Sequence, residues 1–267
     1  MKGTSIIFIL VLTSMANIFT QTEADFNVTL TDDNTGVVIT KYIGKATDVK
    51  IPAAIQGMPV KEIGKNAFNS SEITNIVIPE GVVKIQNGST MGIMAMDGAF
   101  MSCTSLVSVT LPSTLTEIGN CAFIYCMSLR SITIPKNVTE IGDIAFSYSG
   151  LTSIKLPDNL KIIREGTFST CYELTSVIIP EGITEIQQFA FSRCTSLISV
   201  ALPSTITTIG AYAFNDCTAL TTITIPELVK NIQFVPAYGV TNESFKGTGL
   251  TLANQAALRR RGYTGDF

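Results

Sequence analysis

Along most of the chain, apolar and polar residues alternate in short bursts rather than at helical spacing. In "LVSVTLP", from Leu106 to Pro112, Val109 and Leu111 alternate with Ser108 and Thr110, the period of a strand with one buried face. Proline then ends the strand, because it has no N–H for the next ladder bond. Gly119, Gly142 and Gly210 each follow an inward isoleucine, which predicts a tight turn. An Ala-Phe pair comes next, in a segment that reads as a short helical turn or irregular connection.

This pattern recurs. From Phe100 the phenylalanines Phe123, Phe146, Phe168, Phe191 and Phe214 follow at steps of 23, 23, 22, 23 and 23 residues. Prolines from Pro52 to Pro226 keep the same time. A period of about 20 to 50 residues is the mark of a stacked repeat array. One unit of this size cannot bury its own Leu, Ile, Val and Phe, whereas units stacked on copies of themselves can. Each repeated position then becomes a column: Leu106, Leu129, Leu151, Leu174, Leu197 and Leu220 form one, and Ile118, Ile141, Ile163, Ile186, Ile209 and Ile232 another. The prediction is a single curved solenoid with one short parallel β-strand per turn of about 23 residues. With strands about 4.8 Å apart, eight turns span roughly 40 Å.

The unit L-x-x-I-x-I-P-x-x-V-x-x-I-G-x-x-A-F-x-x-C resembles the leucine-rich repeat of the BspA-type bacterial surface proteins. The opening "FNVTLTDDNTGVVITKYIGKATDVKIP" and the ending "AALRRRGYTGDF" are similar to the small treponemal members. The resemblance covers nearly the whole chain after its leader. It implies a right-handed leucine-rich repeat solenoid, surface exposure, and protein binding, often to host extracellular matrix proteins, with no enzymatic activity.

A solenoid needs capped ends, because a bare terminal turn is an open apolar face. Phe26 to Lys41 reads as a hairpin around "DDNTG", and Leu252 to Gly262 reads as a closing helix. Arg259, Arg260 and Arg261 suit the C-terminal end of that helix. At the other end, Lys2 and the apolar run Ser5 to Phe19 are followed by the small pairs Ser14/Ala16 and Thr22/Ala24. That is the layout of a cleaved signal peptide, with an uncleaved anchor as the alternative. The expected organisation is a leader over 1–24, an N-terminal cap over 25–51, the solenoid over 52–245 and a helical cap over 246–267. Extra residues interrupt the period after Pro52, Pro79 and Pro226; the second of these is a Met-rich insertion near 86–97.

Composition narrows the chemistry. The chain has no histidine, which removes the commonest general base and metal ligand. Its formal charge of −3 gives no footprint for nucleic acid. No catalytic, cofactor or metal site is assigned. Cys103, Cys126, Cys171, Cys194 and Cys217 all fall three residues after a repeat phenylalanine, with only Cys121 off that column. They read as free buried thiols, with disulfides between neighbouring turns as the alternative. Met91, Met94 and Met96 read as packing or partner contact, with Cu(I) as the alternative. Glu117, Glu140 and Glu185 read as turn residues on the outer surface.

What remains is the outward strand face. Its central column is Val77, Thr110, Thr133, Lys155, Ile178, Ala201 and Thr224; Arg130 and Ile198 belong to a flanking column. Across the strand columns from Thr74 onward, only Arg130 and Lys155 are charged. A large surface so poor in charge points to contact with protein. These nine residues are the expected partner-binding site on the concave face. The expectation is an exported protein (periplasmic, outer-surface or secreted) that binds protein without stable membrane insertion. A self-associating periplasmic scaffold is the alternative.

Overall fold

A computed structural model of the protein describes residues 21–90, 97–227, 233–235 and 243–267. Residues 1–20 of the expected leader over 1–24, Met91, Met94 and Met96 of the insertion, and Ile232 of its column lie outside the described residues. The described chain is a parallel β-solenoid of about 8 turns with ~23 residues per turn and little helix.

Each turn has three sides, and each side carries hydrogen bonds between turns over part or all of the stack. The first side carries the Ser-Val-Thr strands. Asp48–Lys50, Asn75–Val77 and Ser108–Thr110 pair in parallel, as do Ser153–Lys155 with Ser176–Ile178 and Ser199–Ala201 with Thr222–Thr224. Each places its middle residue inward and its neighbours outward. The face gains one turn beyond the predicted columns, adding Asp48 and Lys50 as charges.

The second side is a ladder of shorter strands. Lys84–Ile85 pairs with Glu117–Ile118, and that with Glu140–Ile141; Ile162–Ile163, Glu185–Ile186, Thr208–Gly210 and Gln233–Val235 pair in a second run on this side. Glu117, Glu140 and Glu185 are therefore strand residues, not the expected turn residues. Their register puts opposite charges side by side: Lys84 Nζ lies 2.9 Å from Glu117, and Arg164 Nη2 lies 2.7 Å from Glu140.

The third side holds the Ala-Phe segment, and it is more regular than its sequence suggests. Phe100, Phe123 and Phe146 donate their N–H groups to Ala122, Ala145 and Thr167 of the next turn at 2.8, 2.7 and 2.9 Å. Intervening amides bond three residues back, as Ile124 N–H to Cys121 O at 3.3 Å. This alternation places left-handed residues two before and two after the phenylalanine. They are Cys121 (φ 58) and Tyr125 (φ 61) in one turn, and Ile144 (φ 49) and Tyr148 (φ 55) in the next. For a β-branched residue such as Ile144 that conformation costs about 1–2 kcal/mol, offset by its bond to Glu165 O at 2.8 Å.

Gly119, Gly142 and Gly210, expected to be the turn formers, are not left-handed. Their role is close approach. A Cβ on Gly142 would meet Asn120 N at 2.4 Å, and one on Gly119 would meet Gln86 O at 2.3 Å. The turns stack tightly here because no side chain intervenes.

The core is the set of inward columns, and its spine is aromatic. Phe68, Phe100, Phe123, Phe146, Phe168, Phe191, Phe214 and Phe245 stack in one file. Adjacent centroids are 4.9–5.6 Å apart, and ring planes lie within 12° of parallel. Near-parallel rings at that separation are offset, the arrangement their quadrupoles favour.

Both ends break the parallel file. In the N-terminal hairpin, Phe26–Leu30 runs antiparallel to Val37–Tyr42. The second strand then pairs in parallel with Met58–Ile63, so the hairpin becomes the first turn. Asp33 closes its loop by accepting bonds from the Thr31 and Thr35 hydroxyls, 2.6 Å each. These bonds hold the Asp33 carboxyl well below the usual carboxylate range. At the other end, Leu252–Arg259 is helical, and Tyr263 stands edge-on to Phe245 at 87°. The Arg259 guanidinium lies over the Tyr263 and Phe267 rings at 5.5 and 4.9 Å. Thus Arg259 covers the end of the aromatic file as well as ending the helix.

Candidate interaction surface

The buried thiols offer no nucleophile. Cys103, Cys126, Cys171, Cys194 and Cys217 each donate to the carbonyl of the phenylalanine one turn earlier, at 3.0, 3.2, 3.1, 3.1 and 3.0 Å. All six cysteines are free and buried. Burial pushes the Cys171 thiol up to about 11 and lifts Cys126 and Cys194 well above the ordinary range, so thiolate is suppressed. Iodoacetamide at neutral pH is therefore expected to leave the folded chain unmodified and to take six adducts after denaturation, counted by intact mass. An adduct on the folded chain would show an accessible thiol.

The nine residues of the expected partner-binding site lie on the strand face, spread over seven turns. Val77 and Thr110, Lys155 and Ile178, and Ala201 and Thr224 are direct register partners, and all six are exposed. Thr133, Arg130 and Ile198 are exposed on the same side. Ile178 and Ile198 are 58% and 55% accessible, and Val107 in the flanking column is 53%. Isoleucines of that exposure on neighbouring turns form the apolar centre of this face. Arg130 reaches Glu173 at 3.6 Å, a pair with both partners exposed, which contributes about 0–1 kcal/mol.

One feature of this face has no signal in the repeat pattern. The strand ladder is interrupted on both sides of residues 131–133, which pair with no strand, and again between Ser176–Ile178 and Ser199–Ala201; the first of these breaks, after Ser108–Thr110, is the one with a groove. Among the described residues, no backbone hydrogen bond joins 107–111 to 130–134. The other two sides cross the same interval unbroken, through Glu140–Ile141 on Glu117–Ile118 and Phe123 N–H on Ala145 O. The two turns are hinged together at the back and parted at the front. A groove of about 440 Å³ opens there, lined in part by Val109, Leu111, Thr133, Pro135 and Lys136. Inward residues beside it are slightly accessible, Val109, Ile132 and Ile134 at 8%, 9% and 8% against 1% for Ile76; Val177, beside the break before Ser199, is 8% as well. Lys136 was not among the expected site residues. It follows a strand-ending proline and lies off the outward strand columns.

Known proteins share this architecture. The BspA type leucine rich repeat region matches in six copies, over residues 61–148, 94–217 and 139–239. A leucine rich repeat protein of T. pallidum is 28% identical, covers 93% of this chain and 98% of its own, and superposes with a TM-score of 0.64. A leucine rich cell surface protein of Faecalibacterium prausnitzii is 34% identical over 76% of this chain, with a TM-score of 0.66. A leucine-rich repeat protein of Bacteroides ovatus, at 24% identity and a TM-score of 0.69 over 85% of this chain, shares the fold. The chain spans 56% of the Bacteroides protein and 53% of the Faecalibacterium one. No curated protein matches the chain.

Proposed function

Because the chain belongs to the BspA-type leucine-rich repeat family, a protein-interaction fold that is generally non-enzymatic, we propose that it is an exported adhesin-like protein. In this reading it holds a partner, such as a host matrix protein, against its strand face. The observation that carries it is that face itself: solvent-exposed isoleucines at 178 and 198, on successive turns, among hydroxyl-bearing columns, with charge confined to a few positions. Singly exposed apolar residues are ordinary, but several on one face poor in charge are what a partner buries. The cell-surface description of the Faecalibacterium relative supports export. So does the apolar run Ser5 to Phe19 near the N-terminus. Among the described residues no helix is long and apolar enough to cross a membrane.

The test is binding of the chain from about Asp25 to immobilised matrix proteins, with Ile178→Glu alongside. Saturable binding weakened about tenfold or more by the substitution is expected, the loss of roughly 1.4 kcal/mol that follows when a central apolar contact becomes a buried charge. Binding unchanged by Ile178→Glu would move the contact away from this part of the face. A dimer in sedimentation that Ile178→Glu dissolves, without foreign binding, would favour self-association.

A further inference from the structure

We propose that the groove where the strand face parts is a specificity pocket for an extended acidic peptide, taking one apolar side chain between the turns and flanking carboxylates on Lys136 and Lys155. The inference rests on the protein-binding reading above and names the chemistry of its partner.

Three observations carry it. First, the volume of about 440 Å³ falls in the range of roughly 300–1,000 Å³ that ligand sites occupy, and Val109, Leu111 and Pro135 give it apolar walls. Second, parallel strands normally bond to both neighbours. Ser108–Thr110 is bonded to Asn75–Val77 on one side, while 107–111 makes no backbone bond to 130–134 on the other. The main chain along the groove can therefore meet an added extended segment, the arrangement by which strands capture peptides.

Third, two ammonium groups at the groove, Lys136 in its lining and Lys155 one turn on, are free. Neither Lys136 nor Lys155 has a carboxylate within ion-pairing distance among the described residues. Asp158, next in the Lys136 column, does not pair with it. Lys155 lies one turn beyond Thr133, in register through Thr152 N–H to Arg130 O at 3.0 Å. One carboxylate, Glu80, also lines the groove and keeps its charge, its oxygens turned to neighbouring donors. Glu80 accepts from Ser113 N–H and Oγ at 2.9 Å each and from Thr114 N–H at 3.3 Å. An acidic segment meets two unpaired ammonium groups, whereas a basic one meets them as like charges.

The probe is the acetylated, amidated tripeptide Asp-Phe-Asp, with Lys-Phe-Lys as its counterpart, titrated into methyl-labelled protein and followed by NMR. Asp-Phe-Asp is expected to shift the methyl signals of Val109, Leu111, Ile132 and Ile134, and Lys-Phe-Lys to leave them in place. Lys136→Glu with Lys155→Glu, both on exposed positions, is expected to weaken the titration at least about tenfold. Thr133→Trp, which fills the groove without altering charge, is expected to abolish it. Equal shifts from both peptides, shifts elsewhere, or an affinity unmoved by the charge reversals would overturn the proposal. Protein binding sensitive to Ile178→Glu together with silent groove methyls would reject the pocket while leaving the protein-binding reading intact. Loss of both would reject that reading as well.

Discussion

Phe146→Ala is expected to remove about 3–5 kcal/mol of stability, the range for truncating a fully buried phenylalanine. The ring is inaccessible and lies parallel to Phe123 and Phe168 at 5.3 and 5.6 Å. Its loss leaves a void between two turns that cannot simply close. The backbones on either side are held apart by Phe123 N–H to Ala145 O and Phe146 N–H to Thr167 O, and the walls are other rings rather than flexible chains. Against a total of about 5–15 kcal/mol for a typical domain, that is a large fraction. Its form matters as much as its size. In a stacked array each turn contacts only its neighbours, so one void in mid-stack weakens the coupling between the halves. Guanidinium unfolding followed by circular dichroism, with hydrogen exchange on both flanks, is expected to show a lowered midpoint and a transition split in two. A loss below about 1 kcal/mol would mean that the turns collapse onto the void after all.

Tyr263→Ala carries the second large effect, of about 3 kcal/mol, together with a change in solubility. Tyr263 is buried, meets Phe245 edge-on and Phe267 at 61°, and carries the Arg259 guanidinium over its face. Its hydroxyl accepts from Phe245 N–H at 3.3 Å and donates to Asp266 O at 2.5 Å. Truncation uncovers the end of the aromatic file, the open apolar end that caps exist to cover. Faster proteolysis within 246–267 and concentration-dependent association in sedimentation are expected. Tyr263→Phe, which keeps the ring and loses the hydroxyl, should cost only about 1–1.5 kcal/mol and leave the chain monodisperse. Burial pushes the Tyr263 hydroxyl from 10.0 up to about 12. The neutral form is the one the fold favours, so its contribution is whole below pH 10 and falls as pH rises from 10 toward 12. Tyrosinate absorbance would follow the opening.

The residues that make columns were readable because their side chains report burial directly. Leu106, Leu129 and Leu151, like Phe100, Phe123 and Phe146, recur at one spacing and are all inaccessible. Residues whose role lies in the backbone were misread. Gly119 and Gly142 look like turn formers, yet their missing side chains serve contact between turns, while the left-handed positions fall to Cys121, Ile144 and Tyr212. Propensity gives no hint of this, since an isoleucine is among the last residues expected there. Glu117 and Glu140 read as turn residues because their charge outweighs a strand of only two residues. Exposure of Ile178 follows from the alternation of its strand and that of Ile198 from its place in an outward column, but the groove beside Lys136 follows from nothing local: the turn containing Ser131, Ile132 and Thr133 reads like its neighbours.

By itself the amino-acid sequence determined the repeat length, the parallel stacking, the inward columns and the absence of histidine chemistry. A unit of about 23 residues has no other way to bury its apolar side chains than against copies of itself. Only the tertiary structure decided how the turns touch. The ladder along the Ala-Phe side, the closure of the aromatic file by Tyr263 and Phe267, and the parting of the strand face between Thr110 and Thr133 all depend on distances between turns. Hydrogen bonds reward or forbid those distances over a few tenths of an ångström, and no single repeat encodes them.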